Sequence, residues 1–583
     1  MSVETLPATA AAAPASSRWR SLITQESVAT LIVSVLVAAA VLLPLFTLVV
    51  SSFLVLDPGG FDTEWGFANY RTLFTDRIIP KAFVNTLLIS TGSTAVATVL
   101  GVSLAWINAR TNCPWRDRLE PYNLIPFFLS PFVGAIAWHN LASPKTGLIN
   151  AWARDWLGIE GHIINVNNLW GVIWVTGIFF TPLVYLFVVG SLRRMDPSLE
   201  DSARTTGAGL FRTTMTVTLP LVMPGILSGA IIVFVTAAGE FGVPFKLSAP
   251  YGWETLTTQI FSKAVGDDAN HYLGATMSMA LGAICAFFIY VQQRYIAPRS
   301  FTTVTGKGFR PNVLDLGRWK WVAFGYNIAF ILVAVVLPIL CLFVVSLHPV
   351  WTAEIIPADM SFRNYEKTLF FWRSDAIQAA TNGIINSLIL SFAGASIAMV
   401  LSLVVCHMIH RTKGFGARLL DFLCVVPIGF PGIVLAMGVL VTYIKTPIYA
   451  TLWILLLGYI TRFFPYGQRN IASVMLAISE ELDQSSRMAG ASWFTTLRRI
   501  TIPLLKPGIF AGWVLLFIIF LRELSISIIL YTSGTETLSV GVYYLTNFEN
   551  EPLTAALSMA QTVLLLLCVF VFRRVAGREA LTA

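Results

Sequence analysis

The chain has 583 residues, 56% of them hydrophobic and only 12% charged, with a mean hydropathy of +0.72. Soluble domains carry roughly 25% charged residues, so this composition belongs to the membrane class and excludes an ordinary soluble domain. The net charge of +8 would suit nucleic acid, but in a membrane chain basic residues mark cytoplasmic loops, and their distribution decides between the two.

A hydrocarbon core takes about 20 apolar residues per helix. A tail over 1–26, rich in Ser, Thr and Ala, carries Arg18 and Arg20 and precedes the first apolar run. Spans are predicted at 27–54, 83–108, 121–141, 169–191, 221–243 and 272–292, forming a first unit over 27–293. The first run is too long for a signal-peptide core and lacks a convincing cleavage site, so it reads as a retained anchor. A polar, basic linker occupies 294–320. The second unit, 321–575, has spans at 321–346, 383–409, 419–443, 447–467, 504–530 and 552–573, before a short tail at 576–583. With the N-terminus inside, the segments on that side hold 26 Lys and Arg, against 11 in the opposite loops. Both termini are therefore expected to be cytoplasmic, and the basic balance is a topology signal with no nucleic-acid partner.

The two units are copies. Residues 201–226 match 484–509 at 12 of 26 positions, an offset of 283. Upstream, "NYRTLF" at 69 pairs with "NYEKTLF" at 364, and "NTLLIS" at 85 with "NSLILS" at 386. The offset shrinks because the first half carries extra residues near 141–168. Six spans per half make the repeats parallel, and the fold class is an all-α polytopic membrane protein of about twelve helices.

The stretches that match best lie between the fourth and fifth spans of each half. Each has a short run, a glycine (Gly207 or Gly490), about nine further residues, and then an apolar-x-apolar-Pro run whose proline (Pro220 or Pro503) is placed to start the next helix. The glycines suit a break where φ is positive. Farther on, Glu240 and Glu523 share the 283 offset and fall late in the fifth span of their half, with Arg522 beside the second. Charges in spans are costly and face a bundle interior or cavity, so the glutamates either line a pathway or brace the helices. Arg522 and Glu523 need not pair, because adjacent helix positions point about 100° apart.

Other chemistries find no support. No GxxxxGK[ST] loop, HExxH or His/Cys cluster occurs, so no catalytic, metal or cofactor site is expected in the chain. The six cysteines are scattered and form no disulfide framework. His407 and His410 sit together beside a basic loop, which suits solvation or capping.

The repeated loop resembles the E-A-A loop of binding-protein-dependent ABC importer permeases, whose pattern ends in I-x-L-P. Its slots here are Asp201-Ser202-Ala203, Gly207 and Leu219-Pro220, then Gln484-Ser485-Ser486, Gly490 and Ile502-Pro503. Gln484 departs from the acidic first slot. The stretches "SPFVGAIAWHNLASPKTGLIN", "AAGEFGVPFKLSAPYGWETLTTQIF" and "LRELSISIILYTSGTETLSV" are similar to the fused, double-length permeases of the ferric-iron importers. The resemblance implies a type I importer fold in the bacterial inner membrane and no active site in the chain. It also implies two cytoplasmic ATPase subunits that bind the ATP and dock on the two loops, and a periplasmic solute-binding protein. Ferric iron is the cargo it favours. Similar permeases carry aminoalkylphosphonates, sugar phosphates, thiamine or polyamines, and an ion-coupled secondary transporter remains the alternative of another class.

Overall fold

Apolar runs with no water to satisfy their backbone must close their hydrogen bonds within the segment, and they do so as helices. The structure, a computed structural model, describes residues 25–56, 62–196, 198–266, 269–296, 313–370, 375–411, 415–476 and 478–576. Most of the expected N-terminal tail, residues 297–312 of the linker and residues 577–583 lie outside the described residues.

The first half runs through α1 (Gln25–Ser52), α2 (Ile79–Arg110), the bent pair α3 (Arg116–Phe128 with Pro131–Ala142), α4 (Leu169–Arg194), α5 (Leu219–Ala238) and α6 (His271–Ile296). The second half repeats the order with α7 (Gly317–Leu347), α8 (Asp375–Arg411), the bent pair α9 (Phe415–Gly429 with Gly432–Tyr443), α10 (Leu452–Met475), α11 (Ile502–Leu521) and α12 (Glu551–Ala576). Among the described residues, nine of these are long and apolar enough to cross a bilayer, and eleven when each bent pair is one span. The twelfth is α10, whose apolar start gives way to Arg462, Gln468 and Arg469.

Three details correct the expectations drawn from the sequence. The third and ninth spans are bent by 96° and 108° at Pro131 and near Pro431, where proline removes a helical hydrogen bond. The fifth and eleventh spans end at Ala238 and Leu521, short of the expected 243 and 530. A two-stranded antiparallel hairpin, Leu54–Leu56 with Thr63–Trp65, interrupts the otherwise helical order.

Each half is stitched by its repeated motifs. Tyr70 hydrogen-bonds Ser52 at 2.8 Å and Tyr365 hydrogen-bonds Ser346 at 2.7 Å, tying the "NY" segments to the ends of α1 and α7. Asn85 donates to the Glu254 carbonyl and Asn386 to those of Gly534 and Glu536. One residue later, Thr86 and Ser387 accept from the backbone N–H groups of Leu256 and Leu538, which begin two short helices, Leu256–Val265 and Leu538–Phe548. Within the bundles, Ser93 of α2 donates to the Ile173 carbonyl of α4, and Ser402 of α8 donates to that of Phe464 in α10. Small hydroxyl residues let helices approach closely where lipid offers no hydrophobic drive to associate.

The first helix of each half crosses to the other. In α1, the Pro44 carbonyl lies so close to Gly438 that a Cβ there would stand 2.7 Å from it, and the hydroxyls of Thr47 and Thr442 meet. Reciprocally, Tyr326 and Asn327 of α7 hydrogen-bond Ser103 at 2.6 Å and Asn123 at 2.8 Å in the first half. The exchange ties the first helix of each half to the opposite half.

Candidate functional site

The repeated loops take the same form twice. In the first, a short helix Ser198–Thr205 ends before Gly207 at φ +87°, and a helix resumes at Leu210–Thr213. In the second, Glu480–Met488 ends before Gly490 at φ +83°, and a helix resumes at Trp493–Thr496. A φ in this range is open to glycine and costly for residues with a Cβ. No atom lies within 4 Å of where a Cβ would stand at either glycine, so the glycines answer a backbone demand and not crowding.

Pro220 and Pro503 stand at the start of α5 and α11, as expected, but no loop precedes them. The backbone is already helical and widens into π-turns at Thr214–Thr218 and Leu497–Thr501. A π-turn accommodates the carbonyl that a proline ring would otherwise meet four residues back. The same device precedes Pro338, where the π-turn is Leu332–Val336. Of the motif slots, Asp201, Ser202, Gln484, Ser485, Pro220 and Pro503 are exposed, while Ala203, Ser486, Leu219 and Ile502 are half-buried. The outward face of the loops thus carries these polar slots together with the exposed apolar side chains of Leu199, Phe211, Leu482 and Met488.

Behind that face lies a feature that the sequence motifs did not reveal. Glu200, one residue before Asp201, is buried and pairs with Arg110, the last residue of α2. Its other carboxylate oxygen accepts from Thr218 Oγ1 at 2.6 Å. In the second half Asp483 is buried, pairs with Arg411 at the end of α8 at 3.0 Å, and accepts from Thr501 Oγ1 at 3.1 Å. Glu200/Asp483 and Thr218/Thr501 keep the 283 offset, and Arg110/Arg411 the upstream offset near 300. Those spacings were the available signal. Charges next to a basic loop read as solvated and conceal it.

Glu240, Glu523 and Arg522 are brought together where the halves meet. With Arg462, also missed as a site residue, they line one cavity of about 160 Å³. Each glutamate sits in the break after its helix and caps the next turn of backbone. Glu240 Oε1 accepts from the Gly242 N–H at 3.1 Å, and Glu523 Oε1 from the Ile526 N–H at 2.9 Å. This capping explains why the helices stop at 238 and 521, although apolar residues continue. Arg522 crosses to the first half, donating to the Leu129 carbonyl at 2.7 Å with its guanidinium 5.2 Å from the centre of the Phe127 ring. Arg462 donates to the Pro427 carbonyl at the bend of α9. The acids are symmetric and the arginines are not. At the positions 283 residues earlier stand Phe179 and Gly239, so both cations come from the second half. None of the loop slots lines this cavity.

The family described as "Binding-protein-dependent transport system inner membrane component" matches residues 97–301 and 398–578. The chain is 25% identical over 471 residues to the putative ferric transport system permease of Haemophilus influenzae, covering 79% of this chain and 72% of the relative. It is 22% identical over 508 residues to the ferric transport system permease of Actinobacillus pleuropneumoniae, covering 85% and 70%. A solved bacterial ABC transporter involved in the import of the acidic polysaccharide alginate aligns with a TM-score of 0.40 at 20% identity, over 49% of this chain and 100% of that chain. One matched segment falls in each half and together they span more than half of the chain, so the protein is a transport permease of the binding-protein-dependent inner membrane component family.

Proposed function

We propose that the chain is the double-length permease of an ATP-driven importer and that its cargo is ferric iron. The observation that carries this reading is the loop built twice with one geometry, a positive-φ glycine leading to a π-turn and an ion-paired acid. Two ATPase subunits dock there, one per loop, and they alone bind ATP. A periplasmic binding protein delivers the cargo on the opposite face, and both termini are cytoplasmic. ATP-driven closure of the ATPases draws the loops together and turns the two halves outward-facing. Hydrolysis resets them.

Ferric iron is favoured because relatives named as ferric permeases align over four-fifths of the chain. The cavity agrees. Its 160 Å³ lies below the roughly 300–1,000 Å³ of small-molecule sites and suits a constricted passage for an ion. Two carboxylates offset by two guanidinium groups hold a cation weakly, which favours passage over storage.

The test is reconstitution of the permease with its ATPase and binding protein in proteoliposomes. ATP-dependent accumulation of radioactive Fe(III), without accumulation of thiamine or an aminoalkylphosphonate, is the expected result. Accumulation of either organic solute instead would overturn the iron assignment. Uptake driven by an ion gradient without ATP would overturn the importer. Independently, a reporter fused after residue 310 should read cytoplasmic, and a periplasmic reading reverses the topology.

A further inference from the structure

We propose, on the importer reading above, that Arg110–Glu200–Thr218 and Arg411–Asp483–Thr501 are transmission joints that make each loop helix move as one piece with the second and fifth spans of its half. Each joint is one carboxylate shared by three elements. The arginine is the last residue of the long second span, the acid lies in the first turn of the loop helix, and the threonine closes the π-turn that leads into the fifth span. An arginine at a helix C-terminus and an acid in a helix first turn both agree with the helix dipoles. Side-chain exposure is 0% and 3% for the first pair, and 8% and 9% for the second. Water therefore screens neither pair much, and a bent or slack joint would leave a charge uncompensated in a dry site.

The symmetry carries the inference further than burial alone. The exposed first slot of the loop changes from Asp201 to Gln484 between halves, whereas the slot behind it stays acidic as Glu200 and Asp483. Asp483 is one methylene shorter. Its arginine gains a further hold by donating to the Ile478 carbonyl at 3.0 Å, just before the loop helix. Both halves thus reach the same three-way tie with different side chains, as expected when the tie itself is what matters. Force applied by a docked ATPase to the outer face of the loop helix reaches the cavity-lining fifth span through a charge-assisted contact.

A bracing role and a transmitting role separate in a double variant. Glu200→Gln alone strands Arg110 and should lower the melting temperature of the purified permease. Arg110→Met with Glu200→Met removes both charges, a replacement that buried pairs often tolerate. The double variant should keep its melting temperature and its ATPase co-purification, yet move about tenfold less cargo per ATP hydrolysed, as loss of a charge-assisted contact implies. A wild-type ratio of cargo to ATP in the double variant overturns the proposal. If that variant fails to reach the membrane, Thr218→Val with Thr501→Val removes only the hydroxyl donors and keeps side-chain volume. The same ratio should fall there, and an unchanged ratio overturns the proposal equally. Failure of the importer reading looks different, because the unmodified permease would then neither bind the ATPase nor couple ATP to uptake.

Discussion

Glutamate in place of Gly207 or Gly490 is expected to cut uptake by at least about a hundredfold while the protein still reaches the membrane. Both glycines hold φ above +80°, and a Cβ in left-handed backbone costs about 1–2 kcal/mol. Nothing lies within 4 Å of the position that Cβ would take, so the bundle itself meets no clash and folding should survive. The added side chain instead projects from the face proposed for the ATPase. A buried, unpaired carboxylate at such an interface costs several kcal/mol, and about 3 kcal/mol already corresponds to a hundredfold. Asparagine tolerates left-handed backbone, so Gly207→Asn and Gly490→Asn should keep most of the uptake. ATPase co-purification and radioactive iron uptake measured on the same membranes check both statements. Wild-type values for both glutamate variants would remove the loops from the docking role.

The parts of this fold that were legible in the sequence are those written as composition or as repetition. Apolar runs show the spans, and the 283-residue offset reveals the two halves, the loops with Gly207 and Gly490, and the symmetric acids. The features that escaped share a cause. Lipid tails are as apolar as a neighbouring helix, so nothing in the composition of α1 or α7 says that each packs across on the opposite half. The bends at Pro131 and Pro431 sit inside unbroken apolar stretches, "LSPFVGAI" and "IGFPGIVL", and read as straight spans. The helix ends at Ala238 and Leu521 are hidden for the same reason, since apolar residues continue beyond the capping glutamates. Arg462 escaped in another way. Its counterpart in the first half is Phe179, so a search for shared residues passes over it.

That asymmetry sharpens the expectation for the two glutamates. Glu240→Gln and Glu523→Gln keep a side-chain oxygen that can still accept from Gly242 and Ile526, so the caps should hold and the protein should assemble. The charge is lost in both. Glu523 has Arg462 and Arg522 as charged neighbours, whereas Glu240 has Arg522 and Glu523 itself. Neutralising Glu523 therefore leaves two guanidinium groups facing one remaining acid across the cavity, and raises the barrier to a cation. Neutralising Glu240 leaves Glu523 between both arginines, with one acid likewise set against two cations but the closer compensation preserved. Transport per folded molecule should fall in both variants, by about tenfold or more for Glu523→Gln and by less for Glu240→Gln, since each 1.4 kcal/mol of added barrier is a factor of ten. Melting temperature and initial uptake rate, measured on the same preparations, separate pathway from brace. If the glutamate charges only brace the helices against Arg462 and Arg522, the melting temperature drops and uptake per folded molecule stays level. If they line the pathway, stability holds, uptake falls, and the order of the two variants tracks the side of the cavity on which the arginines sit.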